Sequence, residues 1–106
     1  VINAENAAEA AKKKDGQFLK ALIDKQDGGF KQKVKDADVD VFDPLARLAI
    51  EKAAKDKTLP PFMEKHASQI NELRGLSGQQ KKQKMDDLTY QLIRERPFLE
   101  AIQNAN

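Results

Sequence analysis

Apolar residues fall along this chain in stretches of helical spacing, separated by glycines, prolines and aspartates. From Asn3 to Lys14 the pattern is Ala-rich, with Ala4, Ala7, Ala8 and Ala11 on one stripe and Glu9 four residues before Lys13. That is a strongly helix-forming combination. Phe18, Leu19, Leu22 and Ile23 carry the stripe onward past Gly16. A glycine inside a helix costs about 1 kcal/mol relative to alanine, so either one long helix contains it or two shorter helices meet there. Asp27-Gly28-Gly29 marks a firmer break, because paired glycines readily take positive φ.

Phe30 and Val34 are four residues apart, which suits a further helical turn or two, whereas Val39 and Val41 alternate with Asp38, Asp40 and Asp43 in the manner of a strand. No other stretch offers a strand to pair with it, so an extended connector is expected. Asp43-Pro44 predicts a helix start: an N-cap aspartate accepts from free backbone N–H groups, and proline at the first helical position loses no needed donor. Leu45, Leu48, Ala49 and Ala53 then face inward until the helix runs out near Lys57. After the TLPPF run, Phe62, Met63, His66, Ile70 and Leu73 keep helical spacing as far as Gly75, which suits a left-handed C-terminal cap. Ser77 followed by Gln80 has the form of a capping box. Met85, Leu88, Leu92, Leu99 and Ile102 continue an apolar stripe in which Pro97 predicts a kink or short break.

These elements predict an all-α fold of four main helices, the first and last long and the two middle ones short. A chain of 106 residues is enough for one domain and too short for two ordinary ones, and residues 1–106 are read as a single helical domain. Ten Leu, six Ile and five Phe supply a modest core. The start at Val1 is read as that of a piece of a longer protein.

Charge narrows the function classes. Lys and Arg number 19 against 17 Asp and Glu, a net +2, so no long-range field of one sign draws the whole molecule to polyanions. The absence of cysteine removes disulfides, thiolate nucleophiles and Cys-based zinc sites and fits a reducing compartment. No apolar run approaches the ~20 residues that span a bilayer, and the first residues lack the order of charge, apolar core and small residues that a signal peptide shows.

Candidate chemistry is sparse. Asp36, Asp38, Asp40 and Asp43 resemble the opening of a calcium loop, but Val41 stands where an EF-hand needs glycine and Arg47 where it needs a bidentate glutamate. A solvated acidic connector is the expected state. His66, the sole histidine, lies on the apolar stripe between Phe62 and Ile70 and reads as a hydrogen-bonded imidazole at the core edge; catalysis would need a partner aimed at it, and Glu64 faces elsewhere. Three basic runs, Lys12-Lys13-Lys14, Lys31/Lys33/Lys35 and Lys81-Lys82/Lys84, could meet phosphates, yet they lack adjacent aromatic residues on which bases stack. Nucleic acid is therefore not expected as a partner. Neither catalysis nor a cofactor is expected.

The order VDVFDPLARLAIEKA (Val39 to Ala53), then TLPPFMEKHASQINELRGLSG (Thr58 to Gly78), then a basic helical stretch resembles the Bep intracellular delivery domain of bacterial type IV secretion effectors and related conjugative relaxases. Asp43 and Pro44 stand where that family opens its second helix, and Leu73-Arg74-Gly75 matches the core of its Leu-Arg-Gly sequence. Ile70 and Asn71 depart from the family's phenylalanine and glycine, and the resemblance covers Val39 to Leu92. It implies an elongated antiparallel four-helix bundle working as a translocation signal, recognised by the secretion system's coupling ATPase. The attached effector or relaxase would leave the bacterial cytoplasm for a host or recipient cell, where a protein of that cell is a further candidate partner. Arg74, Lys81, Lys82 and Lys84 would belong to the partner-binding surface, with Asp43, Pro44, Leu73 and Gly75 as structural signature. The rival readings are a helical nucleic-acid-binding module and a structural interaction module that docks through Leu88, Leu92 and Leu99.

Overall fold

The structure, a computed structural model, describes residues 4–105 and, of the side chains, those of residues 9–105. The stripe expected for Ala4, Ala7 and Ala8, and the helix start at Asn3, lie outside what is described. Among the described residues the chain forms six α-helices, two 3₁₀ segments and no strand: α1 (Ala4–Ile23), α2 (Gly28–Lys35), a 3₁₀ turn (Val39–Val41), α3 (Phe42–Asp56), a 3₁₀ segment (Pro61–His66), α4 (Ala67–Arg74), α5 (Gly78–Leu92) and α6 (Arg96–Asn104). Helix α3 is central, packing on α1, α4 and α5, while α1 also carries α6 and the second 3₁₀ segment. The Cα envelope measures 45 × 38 × 22 Å, a slab.

The glycine at position 16 has a packing explanation. Helix α1 runs straight through it, because a Cβ there would stand 2.7 Å from the Asn104 carbonyl oxygen. The last turn of α6 rests on α1 at the one residue that lets two backbones come so close. The aromatic rings of Phe18, Phe62 and Phe98 continue this contact inward, with centroids 6.2 Å and 5.8 Å apart along the series, in the range where edge and tilted pairs attract. Phe98 is fully buried, and its truncation to alanine would cost about 3–5 kcal/mol.

Helix boundaries differ from the sequence expectation in several places. Val39–Val41 is a 3₁₀ turn, not an extended connector; Asp38 caps it by accepting the N–H of Asp40 at 2.9 Å. Helix α3 consequently opens at Phe42, and Asp43 lies inside its first turn without capping it; the Asp43 carboxylate instead takes the Arg47 guanidinium at 2.6 Å. Pro44 remains in the first turn, where a missing N–H is harmless. Gly75 ends α4 with φ −94°, so it is no left-handed cap. The left-handed glycine is Gly78, at φ +58°, and Ser77 takes the N-cap position of α5 without a side-chain bond to the backbone. Phe62, Met63 and His66, read as helical, lie in the 3₁₀ segment, though they are buried together with Ile70 and Leu73.

The stripe through Met85 to Ile102 divides at Ile93–Glu95. Glu95 is extended, and Pro97 sits in the first turn of α6, where its ring suits a helix start and cannot continue one. The chain thus turns back toward α1, and the expected long last helix is two helices.

Candidate functional site

An open cleft of about 580 Å3 lies between the end of α1, helix α3, the end of α4 and the first half of α5. Leu22, Leu48, Leu73 and Met85, one from each helix, line its apolar wall, with Leu48 and Met85 partly exposed and Leu22 and Leu73 buried. Around them stand five cationic side chains, Lys25, Lys52, Lys55, Arg74 and Lys81, against two carboxylates, Glu51 and Asp56. This excess of three positive charges exceeds the net +2 of the whole chain, so the small overall balance conceals a local basic site.

Not all of that charge is available. Lys52 pairs with Asp56 at 3.2 Å. Arg74 donates from Nε to the Ala54 carbonyl at 2.9 Å and from a terminal nitrogen to Asn71 Oδ1 at 2.6 Å. The Ala54 carbonyl belongs to the last turn of α3, where acceptors lack helical donors, so Arg74 closes the end of α3 from α4. Among the described residues no carboxylate pairs with Lys25, Lys55 or Lys81, and all three are exposed.

Of the residues expected at a partner surface, the fold brings Arg74 and Lys81 together on the cleft. Lys82 is exposed beside it on α5, and Lys84 is half-buried and ties α5 to α4 through Glu72 at 3.1 Å. Leu73 is buried beneath Arg74, with Gly75 ending the same helix. Asp43 and Pro44 lie at the opposite end of α3. Asp43 is joined there to Asp86 of α5 through Arg47, which bonds each carboxylate at 2.6 Å. Lys25 and Lys55 escaped the sequence reading because neither belongs to a basic run: Lys25 lies in the turn after α1 and Lys55 on α3.

A second polar constellation lies apart from the cleft. His66 Nε2 is 2.7 Å from Glu95 Oε1, and Lys65 bonds the other carboxylate oxygen. Burial pushes the Glu95 carboxyl up, but hydrogen bonds from Lys65 and His66, with their charges, outweigh it and hold it below the usual 4.5. The partner aimed at His66 is thus Glu95, 29 residues away, not Glu64. The geometry of this cluster ties the bend before α6 to the 3₁₀ segment. Asp15, buried on α1, accepts the Phe62 N–H at 3.1 Å and serves the same segment, which has no side-chain cap of its own. Burial raises the Asp15 carboxyl above 3.8, with the Phe62 bond opposing and Glu64 adding to the rise.

Asp36 accepts from Gln32, Asp38 caps the 3₁₀ turn and Asp43 holds Arg47, so these carboxylates serve separate local bonds. Among the described residues no group of three or more His, Asp or Glu side chains is placed to hold a metal ion, and no helix is long and apolar enough to cross a membrane. Comparison of the chain with protein-family models, with curated proteins and with solved structures finds no match in any of the three.

Proposed function

We propose that this chain is a non-catalytic helical recognition domain, and that it works as a translocation signal read by the coupling ATPase of a type IV secretion system. An attached effector or relaxase would then pass from the bacterial cytoplasm into another cell. The observation that supports this reading is the pairing of unneutralised cations, Lys55, Lys81 and Lys82, with the apolar cleft on a packed helical frame. Such a surface orients and accelerates encounter with an acidic partner more than it deepens affinity. The four-helix description belongs to the same reading: α5 and α6 would correspond to one long helix broken at Glu95, and α2 to part of the connection before α3.

The test is export of a reporter fused to the chain, comparing wild type with Lys81→Glu/Lys82→Glu. Lys84 is left intact because its reversal would set two acids against each other at Glu72. Loss of export with unchanged helicity supports the reading; undiminished export removes the surface from it. A nucleic-acid reading draws on Tyr90, exposed on the same helix as Lys81 and Lys82 with Arg94 stacked 4.3 Å from its ring centre. Binding to single-stranded DNA that falls steeply with salt and is lost in Tyr90→Ala would favour it.

A further inference from the structure

Two exposed features of this chain complement each other and lie too far apart to meet within one molecule. Val39 is 70% exposed on the 3₁₀ turn before α3. A single exposed valine is ordinary; this one stands among Asp36, Asp38 and Asp40. The turn is held in shape by the Asp38 cap on Asp40 N–H and by Val41, which is buried, so presenting Val39 to a partner requires little further ordering. At the other end of α3 the cleft offers the reverse pattern, an apolar surface of partly exposed Leu48 and Met85 with Lys25, Lys55 and Lys81 beside it. From Phe42 to Lys55 the axis of α3 rises about 20 Å at ~1.5 Å per residue, so a turn cannot reach its own cleft.

We propose that the cleft receives the acidic 3₁₀ turn of a second copy of this chain, Val39 meeting the apolar surface and the flanking aspartates meeting Lys25, Lys55 and Lys81. The contact is heterologous: each copy gives a turn and receives one, and assembly proceeds head to tail. Lys31, Lys33 and Lys35 on α2 adjoin the turn and shorten the reach of its negative potential. Docking therefore depends on close contact, and a single turn seated in one cleft makes a small and hence weak interface. The proposal does not rest on the delivery reading.

Sedimentation velocity of the 106-residue chain, from low micromolar to millimolar concentration at low and high salt, provides the test. The expected result is an average mass that rises with concentration and less steeply at high salt. Val39→Asn/Asp40→Asn impairs the turn and Lys25→Glu/Lys55→Glu impairs the cleft; all four positions are exposed, and far-UV circular dichroism verifies that both variants fold. Each variant alone is expected to associate at least about tenfold more weakly. Mixed together, they retain one good turn and one good cleft and should form a pair that grows no further.

A wild type that stays monomeric to millimolar concentration overturns the proposal. So does association that either variant leaves unchanged, or a mixture that forms no pair. Capture of an acidic peptide or a small amphipathic anion by a chain that remains monomeric would assign the cleft to another occupant. The Val39→Asn/Asp40→Asn variant leaves every cation of the cleft untouched, so export measured on it reports separately on the delivery reading.

Discussion

Gly16→Ala sets two effects of opposite sign against each other. In an isolated helix the change would stabilise α1 by about 0.8–1.0 kcal/mol, from propensity alone. In the folded chain the added Cβ would stand 2.7 Å from the Asn104 oxygen, 3.0 Å from its carbonyl carbon and 3.2 Å from its Cβ, where ordinary contact begins at 3.4 Å. The obstruction is mainly backbone, and α6 is anchored by buried Phe98, Ala101 and Ile102, so relief requires a shift of the helix end. Overpacking of this kind costs about 1–3 kcal/mol. With the burden on backbone atoms the upper half of that range applies, leaving a net loss of about 1–2 kcal/mol after the propensity gain. For a domain of this size that lowers Tm by roughly 5–15 °C.

Thermal and urea unfolding followed by circular dichroism at 222 nm measure the loss, with Gly28→Ala as comparator. Gly28 has no neighbour within 4 Å of an added Cβ, and alanine there is expected to stabilise by a few tenths to about 1 kcal/mol. Removing residues 104–106 takes away the obstructing carbonyl, so in that shortened chain Gly16→Ala should turn from destabilising to stabilising. A full chain whose Tm rises with Gly16→Ala would refute the seating of α6 on α1.

Three further outcomes can be measured on the same footing. Glu95→Gln should cost on the order of 1–3 kcal/mol at pH 7 through weakened charged hydrogen bonds. Because the folded Glu95 carboxyl lies below its usual 4.5, its contribution is present above that value and disappears as pH falls through the folded one; urea midpoints of wild type and variant should converge in acid, and a constant gap would contradict the His66–Glu95–Lys65 assignment. Arg74→Ala should lose about 1 kcal/mol from the unmet Ala54 carbonyl, visible as faster amide exchange at the end of α3. Lys57 closes α3 at φ +57°, a conformation costing a non-glycine residue about 1–2 kcal/mol, so Lys57→Gly should raise the urea midpoint despite its greater unfolded-state freedom.

Helical period was a sound guide wherever one stripe faced one core. Leu45, Ala49 and Ala53 on α3, and Met63, Ile70 and Leu73 around α4, are buried as their spacing requires, because burial is what the period reports. The reading fails where the chain resets its phase. Phe98 is fully buried while its neighbour Leu99 is only partly so; extrapolating the α5 stripe across Ile93–Glu95 selects Leu99, since a non-helical joint shifts the facing residue. Caps were less legible still. Asp43-Pro44 carries every local feature of a helix start, yet a 3₁₀ turn begun by Asp38 brings the chain into helix before Asp43 is reached.

The candidate site was legible in its residue types and hidden in its grouping. Lys81-Lys82/Lys84 reads as one basic run, but Glu72 holds Lys84 while the free cations beside Lys81 on the cleft, Lys25 and Lys55, come from the turn after α1 and from α3. Pairings across 20 to 47 residues, Arg74 with Ala54, His66 with Glu95 and Phe62 with Asp15, decide which charges are spent on the fold. This division separates stability from recognition. The contact of Gly16 with Asn104 and the Glu95 cluster involve α6 and the 3₁₀ segment, neither of which lines the cleft. Variants there should therefore lower stability while leaving the folded molecules' binding intact. Arg74→Ala acts on both, since one guanidinium closes α3 and lines the cleft. A partner affinity that tracked Tm equally through all these variants would mean that binding reads the whole fold and not the cleft.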